Sequence, residues 1–357
     1  MYAVDDHGSP NMVTLRYALK NAAIRIAEKA FTAEHHSFAA GTFLIPSTAA
    51  DTLKPMAQKL GLDVVGLSRQ PDVAAHPAAL PRVAVSSTWS GTQNVGWVRY
   101  TFDQYQVPYD LIFKERVLKG DLARDYEVIV IPTQVRSATQ LVTGIPKQEM
   151  LLAYERTARF QFLGDYGSSP DITGGMGGLG VAAFQRFVDD GGTLVTLGAS
   201  SLFPPTFGIT PSIDMSTPQD KFYAPGPLVE ADIIRPENPI FYGYTDKTLA
   251  VRYANGPLFQ LSDSMDKNNV LMRFPGGEKS VLSGLFNGAD NIKDRAAIVV
   301  TPEGKGEVVL FATNPIWRWQ NLGEYRMLFN ALMNYRNLQP APMTEPAQTE
   351  KKTAPAE

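Results

Sequence analysis

The chain contains no cysteine, which removes disulfides, thiolate metal sites and cysteine nucleophiles together. Histidine is nearly as scarce, with His7, His35, His36 and His76 the only four in 357 residues. A metal centre or a general base drawn from imidazole therefore has few places to arise. No apolar run reaches the ~18 residues of a membrane span. Positive charge shows no surplus either: 33 Lys and Arg stand against 36 Asp and Glu. The counterion release that drives nucleic-acid binding then has no source. The opening MYAVDDHGSPNM lacks the basic and apolar regions of a signal peptide. Read as it stands, the chain would stay in the cytoplasm; a longer parent with a signal peptide would make it exported or periplasmic.

What is present is a globular balance, 44% apolar and 19% charged, over a length that suggests two units. The most informative stretch runs from Gly177 to Ser201. Val181, Phe184 and Val188 recur at helical spacing, and Gly191-Gly192 supply the stop. Thr193–Leu197 reads as a buried strand. It ends in Gly198-Ala199-Ser200-Ser201, a corner at the carboxyl end of a strand. Open α/β sheets bind ligands at such corners, and several hydrolase and amidotransferase folds place a nucleophile there.

Upstream, apolar spacing predicts a helix over 14–30, a strand at Phe43–Ile45 closed by Pro46, a helix over 51–60 and a strand over 63–67. These make a small α/β module, residues 1–67. Residues 68–81, rich in Pro and Ala, read as a linker. From residue 82, strands at 82–85, 109–113 and 127–131 alternate with a helix over 96–107, which implies a parallel sheet with right-handed crossovers. A helix over 149–162 and a Gly/Ser-rich piece over 164–180 look like an insertion above the sheet's ligand edge. The remainder is β-rich, with a hairpin around PEGKGE and a closing helix over 323–335. The second domain thus spans 82–338, and residues 339–357 read as a disordered tail.

Arg82–Ser86, the helix at 96–107, YEVIVIPT, GGMGGLGVAAFQRFVDDGGTLVTLGASS and GKGEVVLFATNPIWRWQNLGEYRMLFNALMNY, in that order, resemble a class I glutamine-amidotransferase-like domain. The implied fold is a flavodoxin-like α/β parallel sheet with β-rich additions, preceded by the small α/β module. More narrowly, the arrangement resembles the C-terminal region of large bacterial zinc carboxypeptidase-like proteins of the carboxypeptidase A superfamily. There a peptidase domain precedes a small α/β segment, to which FAAGTFLIP and the strand around Val64 are similar. The family's catalytic residues are missing. No histidine here has Glu three positions later, Ala199 and Ser200 stand where an amidotransferase cysteine would, and no histidine follows His76. The resemblance implies a non-catalytic accessory region without cofactor or metal. Its expected role is to position or stabilise a zinc carboxypeptidase domain in cis or trans, or to bind substrate.

Other readings are open on the residues themselves. Ser200 is a candidate nucleophile for a hydrolase, against a role as a turn or capping residue. His35-His36 point apart on an extended chain. Trp89, Trp317 and Arg318 are candidates for a carbohydrate- or peptide-binding module, against a role in filling the core. Arg318 between two tryptophans suits either a carboxylate clamp or a stacked structural guanidinium. The glycines at 174, 175, 177, 178 and 180 lack the preceding strand and the Lys-Ser/Thr of a phosphate loop.

Overall fold

A computed structural model describes residues 1–219, 221–261 and 267–339. The expected tail, residues 339–357, falls almost wholly outside them. Strands that carry apolar residues on both faces need cover on both; the described residues form two main sheets, and Phe31–Ala33 pairs with His36–Phe38 in a separate two-stranded hairpin.

The small sheet is antiparallel. It contains β1 (Tyr2–Val4), β2 (Arg25–Ala27), β3 (Phe43–Ile45), β4 (Val64–Gly66) and β5 (Ala75–Pro77), in the order β4-β1-β3-β2-β5. Helices α1 (Asn11–Ala18) and α2 (Ala50–Leu60) pack with it. The helix expected over 14–30 therefore ends at Ala18. Beyond it Ile24 and Ile26 are buried while Arg25 is exposed, a period of two that pairs with β3 rather than continuing a helix. Within the stretch read as a linker, Ala75–Pro77 is an edge strand paired to β2.

The large sheet begins with β6 (Val83–Ser86), β7 (Asp110–Ile112), β8 (Val128–Ile131) and β9 (Thr193–Leu197). A β-rich stretch follows, with β10 (Leu228–Ile233), β11 (Thr248–Arg252) and β12 (Val270–Arg273). It closes in the hairpin of β13 (Ala296–Glu303) and β14 (Gly306–Phe311), as the sequence predicts. The sheet order is β11-β10-β12-β13-β14-β9-β8-β6-β7. Strands β7, β6, β8, β9 and β14 run parallel. Counted along the chain, these five lie in the order 2-1-3-4-5, the flavodoxin-like arrangement. The fold is thus the expected α/β class, with the antiparallel strands as its β-rich addition.

Helices α3 (Thr92–Gln104), α4 (Gly177–Asp189) and α5 (Leu322–Met333) cover the sheet. The helix expected over 149–162 is absent, and residues 145–174 form an irregular arm held by bridges at Ile145–Thr173 and Tyr154–Ser169. Its apolar residues Met150, Leu151 and Phe162 remain exposed. A helix of that length gains little without a face to bury. Among the described residues no helix is long and apolar enough to cross a membrane.

The terminal helix α5 joins the two sheets. Its Arg326 pairs with Asp6, both buried, and donates to the Tyr242 carbonyl. Just beyond α5, Asn334 Oδ1 lies 2.8 Å from His76 Nε2 of β5. His76 is therefore a buried joint between the sheets. The arrangement continues through Thr14 Oγ1, which donates to the Tyr105 carbonyl at 2.8 Å.

Candidate functional site

The carboxyl ends of the parallel strands lie at Ser86, Ile112, Ile131, Leu197 and Phe311, and this edge is where the fold binds ligands. At the end of β9 the left-handed position is Gly198, with φ +53°. In a nucleophile elbow the strained residue itself carries the nucleophile; here it has no side chain. A Cβ at Gly198 would sit 2.3 Å from Thr133 Oγ1, so the corner excludes any substitute. Ser200, two residues later, is buried and donates to the Pro132 carbonyl at 2.6 Å. Thr133 and Ser201 likewise donate to the Leu197 and Phe311 carbonyls, each at 2.8 Å. These hydroxyls lace neighbouring strand ends together. The geometry assigns Ser200 a strap, with its proton already committed and no imidazole beside it.

The switch point between β6 and β8 is filled as well. Gln134 Nε2 donates to the Ser86 carbonyl at 2.8 Å, and its Oε1 accepts from the Thr88 N–H. Lys114 Nζ donates to the Asp171 carbonyl at 2.7 Å and to the Thr173 carbonyl at 2.5 Å, drawing the irregular arm across the crevice. The space left between Ser86, Ile131 and Gly174 is about 30 Å³, room for one or two waters.

Displaced outward from this plug is a cleft of about 370 Å³ between α3, the end of β7 and the arm. Trp89, Phe113, Tyr154 and Tyr166 line it. Trp89 stacks on Phe113 with ring centres 4.0 Å apart and meets Tyr154 at 5.2 Å. Its indole N–H donates to Glu115, 3.2 Å from either carboxylate oxygen, and Ser169 of the arm donates to the same group at 2.6 Å. Arg99 lies 4.2 Å above the ring of Tyr166, which is 68% exposed. Hydroxyls of Ser87 and Thr92 complete the wall. Among the described lining residues there is no Asp, Glu, His or Cys.

Trp317 and Arg318 lie elsewhere, in the turn between β14 and α5. Arg318 and Trp319 both have positive φ, +49° and +54°, a conformation non-glycine residues hold only when their surroundings enforce it. Asn321 does so. Its Oδ1 accepts from the Trp317 N–H at 3.0 Å, and its Nδ2 donates to the Asn314 and Pro315 carbonyls at 3.0 and 2.8 Å. Arg252 and Arg318 stand 3.8 and 4.7 Å from the Trp317 ring centre. The remaining tryptophans, Trp97 and Trp319, flank Tyr100 at 5.8 and 5.2 Å. The structure therefore separates Trp89 from Trp317, and its clefts include residues the sequence did not single out. Tyr154 and Tyr166 come from the misread arm, and Arg252 and Glu324 carried no local signal. Among the described residues no three of His, Cys, Asp and Glu gather in a way that would hold a metal ion.

No protein-family model and no curated protein sequence matches the chain. Among solved structures it is similar to a ThuA-like protein from Parabacteroides merdae, at 9% identity and TM-score 0.42, over 73% of this chain and 92% of that one. A ThuA-like protein from Bacteroides uniformis is similar at 12% identity and TM-score 0.39, over 70% and 91%. A β-galactosidase from Bacillus circulans is similar at 13% identity and TM-score 0.38, over 74% of this chain and 32% of the enzyme. The flavodoxin-like α/β fold expected from the sequence is the one observed, in the 2-1-3-4-5 order of its parallel strands. The narrower affiliation is corrected: these neighbours are ThuA-like proteins and β-galactosidases, and none indicates a zinc carboxypeptidase region or a metallopeptidase. The strands and glycines that carried that resemblance belong to the shared α/β scaffold, which many functions use.

Proposed function

We propose that this protein is a non-catalytic carbohydrate-binding module built on an amidotransferase-like fold. The observation that carries the reading is the aromatic cleft beside the plugged switch point, lined by Trp89, Phe113, Tyr154 and Tyr166, with the neighbouring Glu115 carboxylate already held by the Trp89 indole and Ser169. Glycoside cleavage uses a pair of carboxylates flanking the bond, and acyl transfer uses a nucleophile with a base. Gly198 at the strand corner and the committed proton of Ser200 oppose the second chemistry. Aromatic planes with hydroxyls and one guanidinium suit a neutral sugar ring. Its C–H face lies against Tyr166 or Tyr154, and its hydroxyls meet Thr92, Ser87 and Arg99.

The test is calorimetric titration of the chain with a panel of neutral oligosaccharides. Saturable binding that weakens several-fold in Tyr166→Ala, with an unchanged melting temperature, is the expected result. A panel without a binder, or binding indifferent to both Tyr166→Ala and Trp89→Ala, would remove the proposal.

A further inference from the structure

A second cleft, of about 250 Å³, opens between β10, β11 and the entrance to α5. Arg252, Trp317 and Glu324 line it, with Leu228 and Ala250 at its rim. Arg252 is only 6% exposed, yet its Nε has no hydrogen-bond partner among the described residues, and its Nη2 reaches only the Pro225 carbonyl at 3.4 Å. Glu324 is 1% exposed. Its Oε1 accepts from the Arg252 backbone N–H at 2.9 Å and from Asn321 Nδ2 at 2.8 Å, whereas Oε2 is buried and unpartnered. Neither side chain takes part in an ion pair among the described residues.

A buried guanidinium without an anion is unfavourable, because charges leave water cheaply only when paired and hydrogen-bonded. Glu324 makes no ion pair with it, and burial pushes the Glu324 carboxyl up to about 8 against the opposing pull of Arg252. Protonated, it offers an O–H donor instead. The cleft thus presents a buried cation that makes no ion pair among the described residues. It is also shaped for the guanidinium: Gly226 has φ +139°, and a Cβ there would lie 2.4 Å from Arg252 Nη2. A second guanidinium, that of the exposed Arg318, adds positive potential at the Trp317 ring.

We infer that this cleft binds a small organic monocarboxylate, its charge answering Arg252 and its apolar body lying against Trp317, Leu228 and Ala250. A planar guanidinium fork matches a carboxylate, and one buried cation balances one negative charge. This site is separate from the aromatic cleft and does not depend on it.

The experiment titrates the full chain at neutral pH with benzoate, its neutral isostere benzamide, and inorganic phosphate, following tryptophan fluorescence and melting temperature. Benzoate should saturate by ~10 mM, within the range of weak specific contacts, with benzamide and phosphate at least ~10-fold weaker. Arg252→Lys keeps the charge but loses the fork and the stack, and should weaken benzoate ~10-fold or more; Tyr166→Ala should leave it unchanged. No saturation with benzoate, benzamide or phosphate matching it, or loss of the response in Tyr166→Ala would each overturn the inference. Should Arg252→Lys fail to fold, the Arg252 Nε–H resonance of the wild-type chain decides: a shift with benzoate supports the site, and its absence removes it.

Discussion

Two regions of one sheet show opposite treatments of polar groups. Where β8 and β9 end, the hydroxyls of Thr133, Ser200 and Ser201 donate to the Leu197, Pro132 and Phe311 carbonyls, and Gly198 leaves no room for a further side chain. Around the cleft between β10, β11 and α5, Arg252 Nε and Glu324 Oε2 are buried without partners among the described residues. The first corner occupies the place where related architectures do chemistry, but its hydrogen bonds are closed on themselves. The second lies where no such expectation exists, yet it holds unspent hydrogen-bonding capacity beside an open cleft. Position in a fold nominates a site; unsatisfied polar groups are better evidence that something binds.

The strongest way to break this contrast is Gly198→Cys, which installs the missing thiol. We expect a loss of about 2 kcal/mol or more in urea denaturation, from left-handed strain and collision with Thr133, and no gain of amidase activity. A stable, active variant would show the corner to be a latent site.

Next in size is the pH dependence of stability. Burial raises the Glu324 carboxyl from 4.5 to about 8, and burial raises Glu307 from 4.5 to about 7. Between the unfolded and folded values the unfolded chain has released a proton that the folded chain keeps. Stability therefore falls as pH rises from about 4.5 and levels off near 8. Glu324→Gln preserves an acceptor for Arg252 N–H and Asn321 and should flatten most of that slope, leaving the part from Glu307 that ends near pH 7. Melting temperatures across this window check it, and an unchanged slope would mean that Glu324 is ionised throughout.

Ser200→Ala sharpens the other side. It removes one buried donor from the Pro132 carbonyl and should destabilise by about 1 kcal/mol, with no effect on glycan or benzoate binding. The smallest stability effect belongs to Tyr166→Ala, within about 0.5 kcal/mol because the ring is mostly exposed. Its consequence should appear in oligosaccharide affinity alone.

Much of the scaffold was legible in the residues. Val128–Ile131 and Thr193–Leu197 announce buried parallel strands because both faces are apolar, and PEGKGE marks a hairpin because its neighbours suit strands. The helix expected over 149–162 does not form because Met150, Leu151 and Phe162 have nothing to pack against. Ile26 lies in β2 rather than in the helix expected over 14–30, because one apolar residue fits a period of two as well as one of 3.6. Trp317 and Arg318 were legible as a pair, but their partners were not: Arg252 lies 65 positions upstream of Trp317 and meets it only because β11 and the α5 entrance converge.

Sequence alone determined the chemistry unavailable to this chain, since no folding can create a thiol, or an imidazole beyond residue 76. It also determined the alternation of strands and helices, which is local and set by periodicity. Tertiary structure decided which groups are satisfied and which are left waiting. Hydrogen-bond satisfaction and burial are properties of surroundings, assembled from residues far apart along the chain.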